Sequence, residues 1–314
     1  MRLVFMGTPQ FVVPVLDSLV ENPDVEVVGV YATPDRPRGR GLAPEMPPVK
    51  ARASTLGLEV YQPATLRSAS AQDQLANLRP DLIVVAAYGR LLPPPVLDLP
   101  RHGCLNLHPS LLPSYRGPSP VVTAILEGQA VTGVTLMRLD AGMDTGPIIA
   151  RRQRPISPDD TAGTLTEALF RLGADLLLES LPLWVEGQLP AQPQDDSQAT
   201  VTRKLERADG QADWRLSAVQ LERRWRAYTP WPGLFTHWRG QVVKLLDVAA
   251  MPRAAASGDS PGLVVPLPQD ETPVGIVTSQ GVLGVKTLQL EGRRPTGARE
   301  FLRGYPQFMD SQLT

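Results

Sequence analysis

After Asp81 the chain runs Leu-Ile-Val-Val-Ala-Ala to Ala87, a nearly unbroken apolar stretch that fixes the class of fold. A strand with apolar side chains on both faces has to be covered on both faces. That is the situation of a central strand in a parallel sheet sandwiched between helices. The stretch ends at Tyr88-Gly89, and a second short strand, Cys104–His108, follows. Upstream the rhythm is the same: a buried strand over Arg2–Met6, a tight turn at Gly7–Gln10, an amphipathic helix over Phe11–Val20 and a strand over Glu26–Tyr31. A helix near Val49–Leu56, a strand at Glu59–Tyr61 and a helix around Ala71–Leu78 continue it. The expected class is α/β, with a Rossmann-like, mostly parallel sheet. The first turn holds one glycine, Gly7, so the Gly-x-Gly-x-x-Gly fingerprint is missing and a nicotinamide cofactor is not expected.

Candidate chemistry sits in Gly103–Gly117. Asn106 and His108 alternate with Leu105 and Leu107, so a strand's period of two turns both polar side chains to one face. Pro109, Pro113 and Gly117 then stop any regular element. Open α/β sheets bind ligands beyond the carboxyl ends of their strands. There an amide can donate to an oxygen that is becoming negative, and an imidazole can move a proton. An isolated Asn-x-His also fits an amide that closes a turn beside a satisfied histidine.

Thr132–Leu139 and Ile148–Ile156 alternate as strands, and the segment Asp140–Pro147 between them is too short for a crossover helix. They are expected to pair antiparallel at the sheet edge, with Asp144 in their turn. Asp144 can reach across the strand ends or cap its own turn. A long helix follows over Thr161–Leu181, stopped by Pro182. Gly187–Ser197 has no periodicity and begins a connector through Arg207. Beyond it come a helix at Ser217–Tyr228, five short β-segments (Leu234–Trp238, Gln241–Val248, Gly262–Pro266, Pro273–Thr278, Gly281–Leu290) and a short helix at Ala298–Arg303. Five strands with glycine turns predict a small OB-fold-like β-barrel. The expected organisation is a catalytic domain over 1–188, a connector over 189–207 and a C-terminal domain over 208–314.

The 31 basic and 32 acidic residues nearly cancel, so any surface for a polyanion must be local. Two places qualify. One is the Pro- and Gly-rich loop Thr33–Pro48, with Arg36, Arg38 and Arg40. The other is Arg203–Arg253, where basic residues such as Arg203 and Lys204 outnumber acidic ones. Each also fits a solvated surface without a partner. Cys104 is the only cysteine and the three histidines lack ligand spacing, so no metal is expected. The first residues read as a strand rather than a signal peptide, and no apolar run approaches the ~20 residues of a membrane span. A reducing cytoplasm fits.

Asn106-Leu-His108, the Ser110-Leu-Leu-Pro113-Ser-Tyr-Arg-Gly117 loop and Asp144-Thr-Gly together resemble the active site of the folate-dependent formyltransferases. The loop Asp35–Gly41 and the segment Arg226–Pro232 narrow the resemblance to those members that formylate methionyl-tRNA. It covers the whole chain. The resemblance implies transfer of a formyl group from 10-formyltetrahydrofolate to the α-amino group of methionine on initiator tRNA, by a cytoplasmic, monomeric enzyme without a metal. It implies Asn106, His108 and Asp144 as catalytic residues: Asn106 donating to the oxyanion, His108 relaying a proton toward the departing folate nitrogen, Asp144 orienting the imidazole. It places folate against Ser110, Leu111, Leu112 and Pro113, and tRNA against Arg36, Arg38, Arg40, Arg203 and Lys204. Related readings share the core: formyl transfer to an amino-sugar nucleotide or glycinamide ribonucleotide, or hydrolysis of formyltetrahydrofolate. A non-catalytic RNA-binding protein is the reading from another class.

Overall fold

Buried strands alternating with helices of one apolar stripe build the first part of the chain. A computed structural model describes residues 1–38, 43–251, 259–269 and 272–314. The elements begin with β1 (Arg2–Gly7), α1 (Val13–Glu21), β2 (Glu26–Tyr31), β3 (Arg36–Arg38), β4 (Ala43–Glu45) and α2 (Pro48–Thr55). Next come β5 (Val60–Tyr61), α3 (Ala69–Asn77), β6 (Leu82–Ala86), α4 (Pro94–Leu97) and β7 (Cys104–His108). Then follow α5 (Pro120–Leu126), β8 (Val131–Arg138), β9 (Ile148–Pro155) and α6 (Ala162–Val185). Two compact units result: 1–120, 131–155 and 166–202 in the first, and 121–130, 156–165 and 203–314 in the second.

The first unit holds a seven-stranded sheet in the order β5-β2-β1-β6-β7-β8-β9. The first five strands are parallel, and β8 pairs antiparallel with both β7 and β9. Leu105 and Leu107 of β7 share a core with Leu3 and Phe5 of β1, Leu16 and Leu19 of α1, and Phe170 and Leu177 of α6. Cys104 packs on the other face with Val4, Met6, Ile83, Val85, Leu75 and Val96. Alternation therefore puts Asn106 and His108 on the Cys104 face. The apolar flanks of β7 fix its register, because a slip of one residue would turn Leu105 and Leu107 out of their core.

Three elements differ from the expectations. Arg36–Arg38 and Ala43–Glu45 pair antiparallel, Arg36 opposite Glu45, where a loop without regular structure was expected. The short helix α4 forms among prolines, which are tolerated in a first turn because their missing N–H would be unpaired there anyway. And α6 does not stop at Pro182. Proline removes only its own N–H, and the next turn still closes, Glu186 donating to the Pro182 carbonyl at 3.0 Å. The indole of Trp184 holds that turn by donating to the His102 carbonyl at 2.9 Å. The chain leaves the helix at Gly187, whose φ of +73° favours glycine.

The second unit carries α7 (Ala218–Tyr228), β10 (Leu234–Trp238), β11 (Gln241–Met251), β12 (Val264–Pro266), β13 (Val274–Val277), β14 (Val282–Leu290), β15 (Thr296–Gly297) and α8 (Ala298–Gly304). Ser217 and Gln220 start α7 with a reciprocal capping box, each side chain accepting from the other's backbone N–H. The strands form an antiparallel sheet in the order β10-β11-β14-β13-β12, with β15 beside β14. It curls as an OB-fold-like half-barrel around Trp214, Leu221, Trp238, Leu288, Phe301 and Phe308. Among the described residues no helix is long and apolar enough to cross a membrane.

Burial pushes the Cys104 thiol up to about 12, because a thiolate between sheet and helix would lose its hydration. The folded chain should therefore not react with a thiol reagent at pH 8 until urea unfolds it; rapid labelling of the native protein would contradict this. The linkage sign follows. The unfolded thiol loses its proton at lower pH than the folded one, so this group's contribution is complete below its ordinary range and declines as pH rises toward 12.

Candidate active site

Asn106 and His108 close β7 with their side chains almost wholly buried, 9% and 4% exposed. On the strand they lie opposite Val85 of β6 and Met137 and Thr135 of β8. The Asn106 carboxamide has no hydrogen-bond partner among the described residues. The loop after His108 is held by its own bonds: Ser110 N–H to the His108 carbonyl at 2.9 Å, the Ser110 hydroxyl to the Ser114 carbonyl at 2.7 Å, and Ser114 N–H to the Leu111 carbonyl at 3.1 Å. From the sheet side, the Thr135 hydroxyl donates to the Ser110 carbonyl at 2.6 Å and accepts from Leu112 N–H at 3.1 Å. The Arg151 guanidinium donates to the Leu112 carbonyl at 2.8 Å. The Leu112–Pro113 peptide is cis. Leu112 is fully buried against Met137 and Ile148, and Leu111 and Pro113 are half-buried. Nothing in the local sequence marked Thr135 or Arg151 as supports, since both read as ordinary strand positions.

Asp144 reaches the site by a route the strand pattern does not give. Because β8 is antiparallel to β7, with Arg138 opposite Leu105, the turn 139–147 leaves β8 beside the start of β7. It then folds back over the Cys104 face until Asp144 meets His108 at the strand's other end. The backbone needed is tight. Asp144 itself has φ +56°, and a Cβ on Gly146 would stand 1.9 Å from the Arg138 carbonyl oxygen.

His108 lies between two acceptors. Its Nε2 is 2.9 Å from the Tyr115 carbonyl oxygen, and its Nδ1 is 3.5 Å from Oδ2 of Asp144. A neutral ring can donate to only one of them, and a doubly protonated ring to both. The Asp144 side is the looser contact, beyond the usual range of an N–H···O bond, so it is the side on which a reactant's atom can enter. Oδ2 of Asp144 also accepts from Gly117 N–H at 2.8 Å, which ties the two loops together. The site therefore offers one partner-free amide, one imidazole and one carboxylate on the same sheet face.

The stretch read as a structureless connector builds part of this unit. Gln192 pairs with Ile148, and Val201 with Arg116. Tyr115 N–H donates to the Thr200 hydroxyl at 2.8 Å, and the Arg116 N–H to the Thr200 carbonyl at 2.8 Å. Such contacts leave no periodic trace in a sequence.

The basic residues are placed less closely. Arg36 is exposed, Arg38 is fixed through backbone pairing to Ala43, and Arg40 lies outside the described residues. Arg203 is ion-paired with Asp209, which it holds down to about 2, while its side chain stays 66% exposed; Lys204 is exposed.

Comparisons with known proteins concern the family and the fold. The family model described as formyl transferase matches residues 1–181, and that described as formyl transferase, C-terminal domain, matches 204–306. A protein of Chloroflexus aggregans named methionyl-tRNA formyltransferase is 46% identical over 97% of both chains. One of the same name from Roseiflexus sp. is 48% identical over 97% of this chain and 92% of its own. Among solved structures, HypX from Aquifex aeolicus in complex with tetrahydrofolic acid superposes with a TM-score of 0.64 at 20% identity. It matches 96% of this chain, which spans 47% of HypX. The sugar 3N-formyl transferase WlaRD, with 5-N-formyl-THF, gives 0.64 at 15% identity over 94% of this chain and 99% of its own. These two likenesses concern the fold.

Replacing Thr135 by valine keeps the shape and removes the hydroxyl, leaving a buried carbonyl and N–H of the Ser110–Leu112 loop unpaired. The expected loss is about 1–3 kcal/mol, read as a lower urea midpoint with an unchanged slope. An unchanged midpoint would mean that Thr135 does not hold the loop.

Proposed function

The chain belongs to the formyl transferase family in both its N-terminal and its C-terminal parts, and on that premise we propose that it formylates the α-amino group of methionine on initiator methionyl-tRNA, with 10-formyltetrahydrofolate as donor. The observation that carries the reading is the convergence of the Asn106 amide, the His108 imidazole and the Asp144 carboxylate, in a chain whose relatives of that name align over nearly its full length.

The residues fit a bound formylfolate. A strand-end carboxamide without a protein partner is an unused donor, suited to an oxygen that gains charge. The half-buried side chains of Leu111 and Pro113 offer apolar surface on a backbone already held by Thr135 and Arg151, so little order has to be gained on binding. The donor supplies an activated formyl carbon. The amine nitrogen bonds to it, the bond from that carbon to the folate nitrogen breaks, and the amine's proton is carried to the folate nitrogen.

Asn106 donates to the formyl oxygen during attack, a contribution of about 10²–10³ in kcat for one such donor. His108, turned toward the reactants on its Nδ1 side, moves the proton. Asp144 holds that edge of the ring and orients it.

By function, we assign catalysis to 1–188, a connector to 189–207 and tRNA binding to 208–314. Arg36, Arg38, Arg40, Arg203 and Lys204 are the proposed tRNA contacts, serving orientation through phosphates more than base reading. Exposure of Arg203 and Lys204 supports that role.

The test is formyl transfer from 10-formyltetrahydrofolate to charged initiator tRNA, with charged elongator methionyl-tRNA and a small amine alongside. Formylation confined to the initiator is expected, with His108→Ala lowering kcat about 10²–10⁴-fold and leaving tRNA affinity within twofold. Transfer to the small amine alone would overturn the acceptor. Full activity of His108→Ala would remove it from the mechanism.

A further inference from the structure

One side chain of the connector joins the two segments between which His108 lies. The Gln194 carboxamide donates from Nε2 to the carbonyls of Asp144 at 2.8 Å and Gly146 at 2.7 Å. Its Oε1 accepts from Nε of Arg116 at 3.0 Å. Only this orientation of the amide gives donors to two carbonyls and an acceptor to a guanidinium, so the partners themselves assign it.

Each end of the bridge lies one residue or less from a group that touches His108. On one side, Asp144 presents its carboxylate to Nδ1 from a backbone at φ +56°, a conformation that persists for aspartate only where its surroundings hold it. Gln194 bonds the carbonyls on both sides of Thr145, directly after that strained residue. On the other side Arg116 is flanked by Tyr115, whose carbonyl faces Nε2, and by Gly117, whose N–H bonds the Asp144 carboxylate. Arg116 is 7% exposed, its second contact running to Asp196 at 2.8 Å.

We propose that Gln194 is a positioning residue: by tying the Asp144 turn to the Arg116 loop it sets where the Asp144 carboxylate stands relative to the His108 ring. Gln194 touches no reactant and acts through Asp144. The inference rests on the proposed role of Asp144 and His108 in formyl transfer, and goes beyond it by giving the connector a part in catalysis.

Three variants in the full chain separate this from a general structural role. Gln194→Ala removes the bridge. Gln194→Glu keeps an acceptor for Arg116 but presents a carboxylate to the two carbonyls, so it breaks only the Asp144 side. Asp144→Asn, alone and combined with Gln194→Ala, closes a double-mutant cycle. Both Gln194 variants are expected to lower kcat about tenfold, since small misplacements of a reacting group are costly, with both KM values within twofold. Adding Gln194→Ala to Asp144→Asn should cost less than a further twofold. Wild-type activity in Gln194→Glu, a change in KM alone, or full multiplication of the two effects would overturn the proposal.

A second readout needs no turnover. The chain has three histidines, His102, His108 and His237, so imidazole NMR signals can be assigned by substitution. Gln194→Ala should move the His108 signals and leave the other two in place; unmoved His108 signals would overturn the positioning role. If the wild type failed to formylate tRNA, the functional reading would fall while these signals still decided what Gln194 does.

Discussion

His108 is held by a carbonyl on one edge and a carboxylate on the other, and much of the first unit exists to keep those two acceptors in place. Neither acceptor comes from the strand that carries the histidine. Tyr115 belongs to the loop that follows it, and Asp144 to a turn that starts beside the far end of β7 and folds back across the sheet face. A ring held between two loops is positioned only as well as the loops are. That is why both are bonded to β8, β9 and the connector through Thr135, Arg151, Thr200 and Gln194.

The sheet supplies the rigid part. Leu105 and Leu107 lock β7 into the core under α1 and α6, so Asn106 and His108 are delivered at a fixed height and on a fixed face. The loops supply the chemistry, at the cost of left-handed backbone at Tyr115 and Asp144. Such residues cost on the order of 1–3 kcal/mol each and are kept where function needs a particular direction of a carbonyl or a side chain. A parallel α/β core, with its two apolar faces, provides the surplus stability to hold them.

Features with a period were legible in the sequence. The run after Asp81 gave the parallel sheet, and the alternation from Cys104 gave the shared face of Asn106 and His108. The antiparallel pair β8–β9 followed from a turn too short for a helix. What escaped had no period to carry it. The path of Asp144 depends on where β8 pairs with β7, Thr135 reads as one more strand threonine, and Gln194 lies in a polar, proline-containing stretch that looks like a tether. Pro182 misled for a different reason: a proline marks a helix end on average, but the bond from the Trp184 indole, two residues on, to the His102 carbonyl cannot be seen in the sequence.

The most direct measurement is a crystal structure of the full chain with 5-formyltetrahydrofolate, a stable isomer of the proposed donor. The account predicts the folate ring against Leu111–Pro113 and the formyl group on the Asn106 and His108 face of the sheet, with the Asn106 amide within hydrogen-bond reach of the formyl oxygen. Folate bound away from the end of β7, or seated there with its formyl group turned from Asn106 and His108, would contradict it.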